Sequence, residues 1–151
     1  MREFIITLIL VFVCTSATAG DKYSGRGDLK LHEVDIEYFM EYLSPPAGQK
    51  PMVFLVIAEN GKSIWSTYWY CPEGSCQVLS KAEATKKCAA GAEKYYKDKK
   101  NLECFIFAKR KTVVWDNDIN PGKSKTSSFK SKWNKAEVLE KFSELGFEMY
   151  K

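Results

Sequence analysis

Apolar positions along the chain recur with recognisable periods, and each period marks an element. Phe4 to Val13 is almost uninterruptedly apolar, with Arg2 ahead of it and the small-residue run Thr15-Ser16-Ala17-Thr18-Ala19 behind. That layout reads as a secretory signal peptide over residues 1–19, with an Ala17-x-Ala19 cleavage signal. A membrane anchor needs about 20 apolar residues, which this run does not reach. Residues 20–32 are polar and Gly-rich and read as a flexible N-terminal segment. The period then turns helical: Ile36, Phe39, Met40 and Leu43 fall at i, i+3, i+4 and i+7, and Pro45-Pro46 ends the stripe.

Met52 to Ala58 is a continuous apolar run of strand length, followed by Asn60-Gly61, the dipeptide that best accommodates a two-residue hairpin turn. The second strand, Ser63 to Tyr70, is rich in aromatic and β-branched residues. Regular alternation places Ile64, Ser66, Tyr68 and Tyr70 on one face and Trp65, Thr67 and Trp69 on the other. After the loop Cys71-Pro72-Glu73-Gly74-Ser75-Cys76, the pair Ser80 and Glu83 forms a capping box, with Leu79 and Ala84 placed as a hydrophobic staple. The inner face of that helix is Ala84, Cys88, Ala92 and Tyr95. Cys104 to Ala108 and Thr112 to Trp115 read as two further strands joined through Lys109-Arg110-Lys111. A long polar connection, Asp116 to Lys132, leads to a last helix capped at Asn134 and Glu137 and closed by Gly146. The predicted fold is α+β: a small antiparallel sheet in ββαββ order, covered by helices, within one disulfide-stabilised domain over residues 33–151.

Composition and cysteine arithmetic sharpen this picture. With 151 residues, 45% hydrophobic and 28% charged, the chain suits one globular domain rather than a disordered one. The five Cys are odd in number, but Cys14 lies in the predicted leader, leaving Cys71, Cys76, Cys88 and Cys104. An export signal with an even Cys count points to disulfides and to a periplasmic or secreted location. Four Cys allow three connectivities. The spacing favours Cys71 with Cys76 across the Pro/Gly loop and Cys88 with Cys104 between helix and sheet, because the crossed pairings would drag the loop into the core. Thioredoxin-like chemistry wants Cys-x-x-Cys at a helix start, and structural zinc wants paired short spacings or nearby His; neither is present, so no cofactor or metal is expected.

Candidate chemistry is sparse. His32 is the one histidine, it precedes the first helix, and it reads as a surface or capping residue; no Gly-x-Ser-x-Gly elbow accompanies it. Asp116-Asn117-Asp118-Ile119-Asn120 alternates oxygen side chains, yet Pro121 and Ser127 stand where a calcium loop needs Gly and Glu. Charge is the more informative feature. The net charge is +4, and residues 109–132 hold Lys109, Arg110, Lys111, Lys123, Lys125, Lys130 and Lys132 against Asp116 and Asp118. A segment of that kind suits an anionic lipid, envelope polymer or nucleic acid. Trp65 and Trp69 form the second candidate surface, provided their rings are exposed.

Phe54-Leu55-Val56-Ile57-Ala58, Trp69-Tyr70-Cys71 through Cys76, Glu83-Ala84 to Cys88, and Cys104-Phe105-Ile106-Phe107-Ala108 to Val113-Val114-Trp115 together resemble a loosely defined group of small exported bacterial domains of unknown function. In that group a helix ends in Cys and a Cys-led strand runs on to Val-Trp. The resemblance covers roughly residues 52–116. It implies a Cys88–Cys104 bond and a core position for Trp115, and it supplies no activity. The expectation is an exported, non-enzymatic binding or envelope-associated module whose basic loop meets an anionic partner. The alternatives are a small secreted hydrolase using carboxylates such as Asp116 and Asp118, or a secreted effector or inhibitor acting on another protein.

Overall fold

A computed structural model describes residues 21–74, 76, 79–120 and 125–151, the side chain of Lys125 excepted. The predicted leader and Lys123 lie outside the described residues. The elements, in order, are β1 (Lys30–His32), α1 (Glu33–Leu43), β2 (Gln49–Glu59), β3 (Lys62–Pro72), α2 (Lys81–Glu93), β4 (Phe105–Lys109), β5 (Thr112–Val113), a 3-10 turn (Lys125–Ser127), α3 (Lys135–Glu144) and β6 (Glu148–Tyr150). They build one six-stranded sheet in the order β5-β4-β2-β3-β1-β6.

The fold is α+β as expected, but both the ββαββ order and the purely antiparallel sheet are corrected. β2 pairs antiparallel with β3 and β4, whereas β1 runs parallel to both β3 and β6. The two added strands have three residues each. Such short segments carry no readable period, and their pairing joins the first and last described elements. Residues 21–32, read as a flexible segment, lie along the sheet instead. Ile106 N–H donates to Tyr23 O at 2.7 Å, Gly27 N–H to Asp116 O at 2.8 Å and Lys30 N–H to Gly61 O at 2.8 Å. Leu29 and Leu31 are buried in the core.

The local signals explain the remaining elements. Asn60 and Gly61 both adopt positive φ, 52° and 72°, as the hairpin between β2 and β3 requires. Ser80 accepts from Glu83 N–H at the start of α2, and Asn134 and Glu137 form a reciprocal capping box at the start of α3. The sheet separates two apolar clusters. On one side α1 and α3 bury Ile36, Phe39, Tyr42, Val138 and Phe142 against Phe54, Val56, Phe107 and Trp115. On the other, α2 presses Ala84, Cys88 and Ala92 onto Val53, Leu55, Ile57 and Ile106. Each cluster removes several large side chains from water, at about 1.5–3 kcal/mol per residue. Cys88–Cys104 ties α2 to the entry of β4, with Cα atoms 6.0 Å apart, and Cys71–Cys76 closes the loop after β3, at 5.0 Å.

Candidate functional site

The most chemically differentiated concavity forms where α1 begins. His32 takes extended backbone angles at the N-cap of α1, and its Nδ1 accepts the Val34 N–H at 3.2 Å. Asp35, three residues on, accepts the His32 N–H at 2.8 Å, which completes the capping box. The same carboxylate receives two hydroxyl protons from β3. Ser63 Oγ donates to Oδ2, and Ser66 Oγ donates to Oδ1 at 2.6 Å. Asp35 is only 5% exposed and Ser63 is fully buried, so this triad bolts the first turn of α1 to the sheet.

A β-bulge makes that arrangement possible. In a regular strand, side chains three residues apart point to opposite faces. The register of β2 and β3 slips between Ile57 and Ala58: Ile57 faces Trp65 while Ala58 faces Ser63, so Ile64 is the extra residue. Ser63 and Ser66 therefore share the α1 face, and Ile64 joins Trp65 on the α2 side. The expected alternation holds from Trp65 to Tyr70 and fails at Ile64.

Around this floor lies a cleft of 390 Å³ whose walls include Tyr38, Trp65, Tyr96 and Tyr150, with Lys99 at its rim. Tyr150 donates its hydroxyl proton to Ser63 O, and its ring meets His32 edge-on at 5.1 Å. Tyr96 donates to Ile64 O at 2.5 Å. The Trp65 ring packs 4.8 Å from Tyr95, which is 73% exposed. Burial, followed by the negative charge of Asp35, raises the Tyr150 pKa. Lys99 is held by an ion pair to Glu59 and lies 6.0 Å from the Tyr96 ring centre.

The basic residues named from the sequence gather elsewhere. Lys109 ends β4 and pairs with Asp21 at 3.1 Å; burial lowers its pKa despite that partner. Arg110 turns the chain with φ 53°. Lys111 O accepts the Phe129 N–H at 2.7 Å, and Thr112 bridges Ser128, so Arg110 and Lys111 come to lie beside the exposed Lys130 and Lys132. Lys130 Nζ sits 5.8 Å from the Trp133 ring centre. Buried amides hold the base of the intervening loop. Asn117 donates to Leu145 O at 2.9 Å and accepts Asn120 N–H at 2.6 Å, while Asn120 receives the Ser127 hydroxyl proton at 2.5 Å. Lys125 contributes backbone to the 3-10 turn.

Trp65 and Trp69 do not join this basic surface. Both are half-buried on the α2 side of β3, and β5 lies three strands away. Trp65 belongs to the cleft, while Trp69 lies in register with Val53 and, through it, Lys109. Asp116 accepts the Asp118 N–H at 3.1 Å in an Asx turn, and neither carboxylate lines a described cleft. Among the described residues no cluster of three His, Cys, Asp or Glu side chains could hold a metal ion, and no helix is long and apolar enough to cross a membrane. No protein-family model matches the chain, and no curated protein or solved structure matches it at a significant level. The cleft itself escaped sequence reasoning, although the spacing of His32 and Asp35 is a legible capping signal. Its serines were hidden by the bulge.

Proposed function

We propose that the protein is an exported, non-enzymatic binding module that meets an anionic envelope polymer through the surface formed by Arg110, Lys111, Lys130 and Lys132. The observation that carries this reading is the Phe129 N–H bond to Lys111 O, which lays two basic runs side by side. No carboxylate pairs with any of these four cations among the described residues. Their charge is therefore available to a partner, and the buried Asn117, Asn120 and Ser127 give the surface a fixed base. Export rests on the apolar leader over residues 1–19 and is in keeping with the two disulfides.

Charge reversal tests the proposal. Converting Arg110, Lys111, Lys130 and Lys132 to Glu is expected to abolish retention on a heparin column. Converting Lys86, Lys94, Lys97 and Lys100 to Glu changes net charge equally and is expected to lower the eluting salt only slightly. Equal loss in both variants would reduce the effect to net charge and end the proposal.

A further inference from the structure

The hydroxyl protons on the floor of the cleft at the start of α1 are already committed. Ser63 and Ser66 both give their protons to Asp35, Tyr150 gives its proton to Ser63 O, and Tyr96 gives its proton to Ile64 O. Ser63 is sealed beneath the floor and its Oγ also accepts the His32 N–H at 2.9 Å, so what remains is the residual acceptor capacity of Asp35 and Ser66, with the Trp65 indole N–H, unpaired among the described residues, as a donor in the wall. The three partners of the Asp35 carboxylate, an amide and two hydroxyls, are all neutral groups. No cation pairs with Asp35 among the described residues, since Lys99, the lysine on the rim, is engaged by Glu59. The N-terminus of α1 adds partial positive charge, as it does for any carboxylate in a first turn. It fills none of the 390 Å³ beyond the floor.

We infer that this cleft binds a primary ammonium group, seated on the acceptor floor at Asp35 and walled by Tyr38, Trp65, Tyr96 and Tyr150. A primary ammonium has three donors and no acceptor, which suits the spare acceptor capacity at Asp35 and Ser66. The aromatic walls favour the same ion, because ring faces attract cations. The protein's own ammonium groups already occupy such positions at the margin: Lys62 Nζ lies 5.2 Å from the Tyr150 ring centre and Lys99 Nζ lies 6.0 Å from that of Tyr96. Tyr38 and Val34 are 42% and 44% exposed, an apolar rim that suits the alkyl stem behind the ammonium head. The cavity is at the small end of the range for ligand clefts, about 300–1,000 Å³, which fits an alkylamine or one lysine side chain of a partner. This site is separate from the basic surface, and either can fail without the other.

Titration of the purified protein with n-butylammonium chloride, followed by NMR at the Trp65 indole and the Tyr38 ring, is the test. Saturable shifts at both are expected, with n-butanol, the same chain without the charge, producing none. Asp35→Asn is expected to weaken binding by about tenfold and Tyr38→Ala by several-fold. Because Asp35 also caps α1, its variant has a structural cost; Tyr38 is exposed, and its variant together with the alcohol control decides the matter if Asp35→Asn unfolds. A peptide with one central lysine, binding more tightly than butylammonium, would identify the source as a protein partner; a weaker peptide would identify a free amine. Absence of saturable shifts with both probes, or equal shifts with n-butanol, overturns the inference.

Discussion

Tyr42 carries a hydroxyl that the fold leaves unpaired. Its side chain is completely buried between Phe39, Phe54, Tyr68 and Tyr70, and its Oη has no hydrogen-bond partner among the described residues. Burial pushes its pKa far upward, as expected of a phenol that cannot reach water. A buried polar atom without a partner costs about 1–3 kcal/mol. Tyr42→Phe is therefore expected to raise the urea midpoint, by about 1 kcal/mol of stability, and a lower midpoint would mean that the hydroxyl is satisfied in solution. Asp21 is the opposite case. Burial would raise its pKa, but the ammonium groups of Lys81 and Lys109 outweigh that effect and hold it at about 2, against an ordinary 3.8. The folded state thus binds this proton more weakly than the unfolded state. Its stabilising contribution is complete well above pH 3.8 and is lost as pH falls through about 2. The stability gap between the wild type and Asp21→Asn should be steady near neutral pH and close across that acid window. A gap unchanged by acid would assign Asp21 a packing role instead.

At the scale of elements, the disulfides differ in what they constrain. Cys88–Cys104 spans 16 residues and joins α2 to the entry of β4, whereas Cys71–Cys76 spans 5 and closes a loop onto the end of β3. On the chain-entropy model the first contributes about 3 kcal/mol and the second about 2. Replacing Cys88 and Cys104 by Ala should lower the denaturation midpoint more than replacing Cys71 and Cys76, and the reverse ranking would locate the constraint in the loop. These bonds, α1, the β2–β3 hairpin, α2 and α3 were all legible, because each is announced within a few residues by a cap, a turn or a stripe. β1 and β6 were not, since three residues in a strand offer no period. The cleft fell between these cases. Its His32 was readable as a cap, but the meeting of Asp35 with Ser63 and Ser66 depends on one inserted residue, Ile64, in the middle of an otherwise regular alternation.

Across the whole molecule, the sheet divides the chemistry by strand order. The cationic surface lies beyond β4 and β5, and the acceptor-floored cleft lies by β3, β1 and β6, at the other side of the sheet. Reversing the four surface cations should therefore leave butylammonium binding unchanged. The joining of β1 to β6 has a consequence in time as well as in space. β1 makes one register pair with β3, Lys30 with Lys62, but three with β6, from Lys30 with Glu148 to His32 with Tyr150. The strand that leads into α1 thus awaits β6, which follows every other described element in the sequence. A chain emerging N-terminus first from a ribosome cannot complete this sheet until β6 has emerged, so β1 and α1 wait through the synthesis of every element between them.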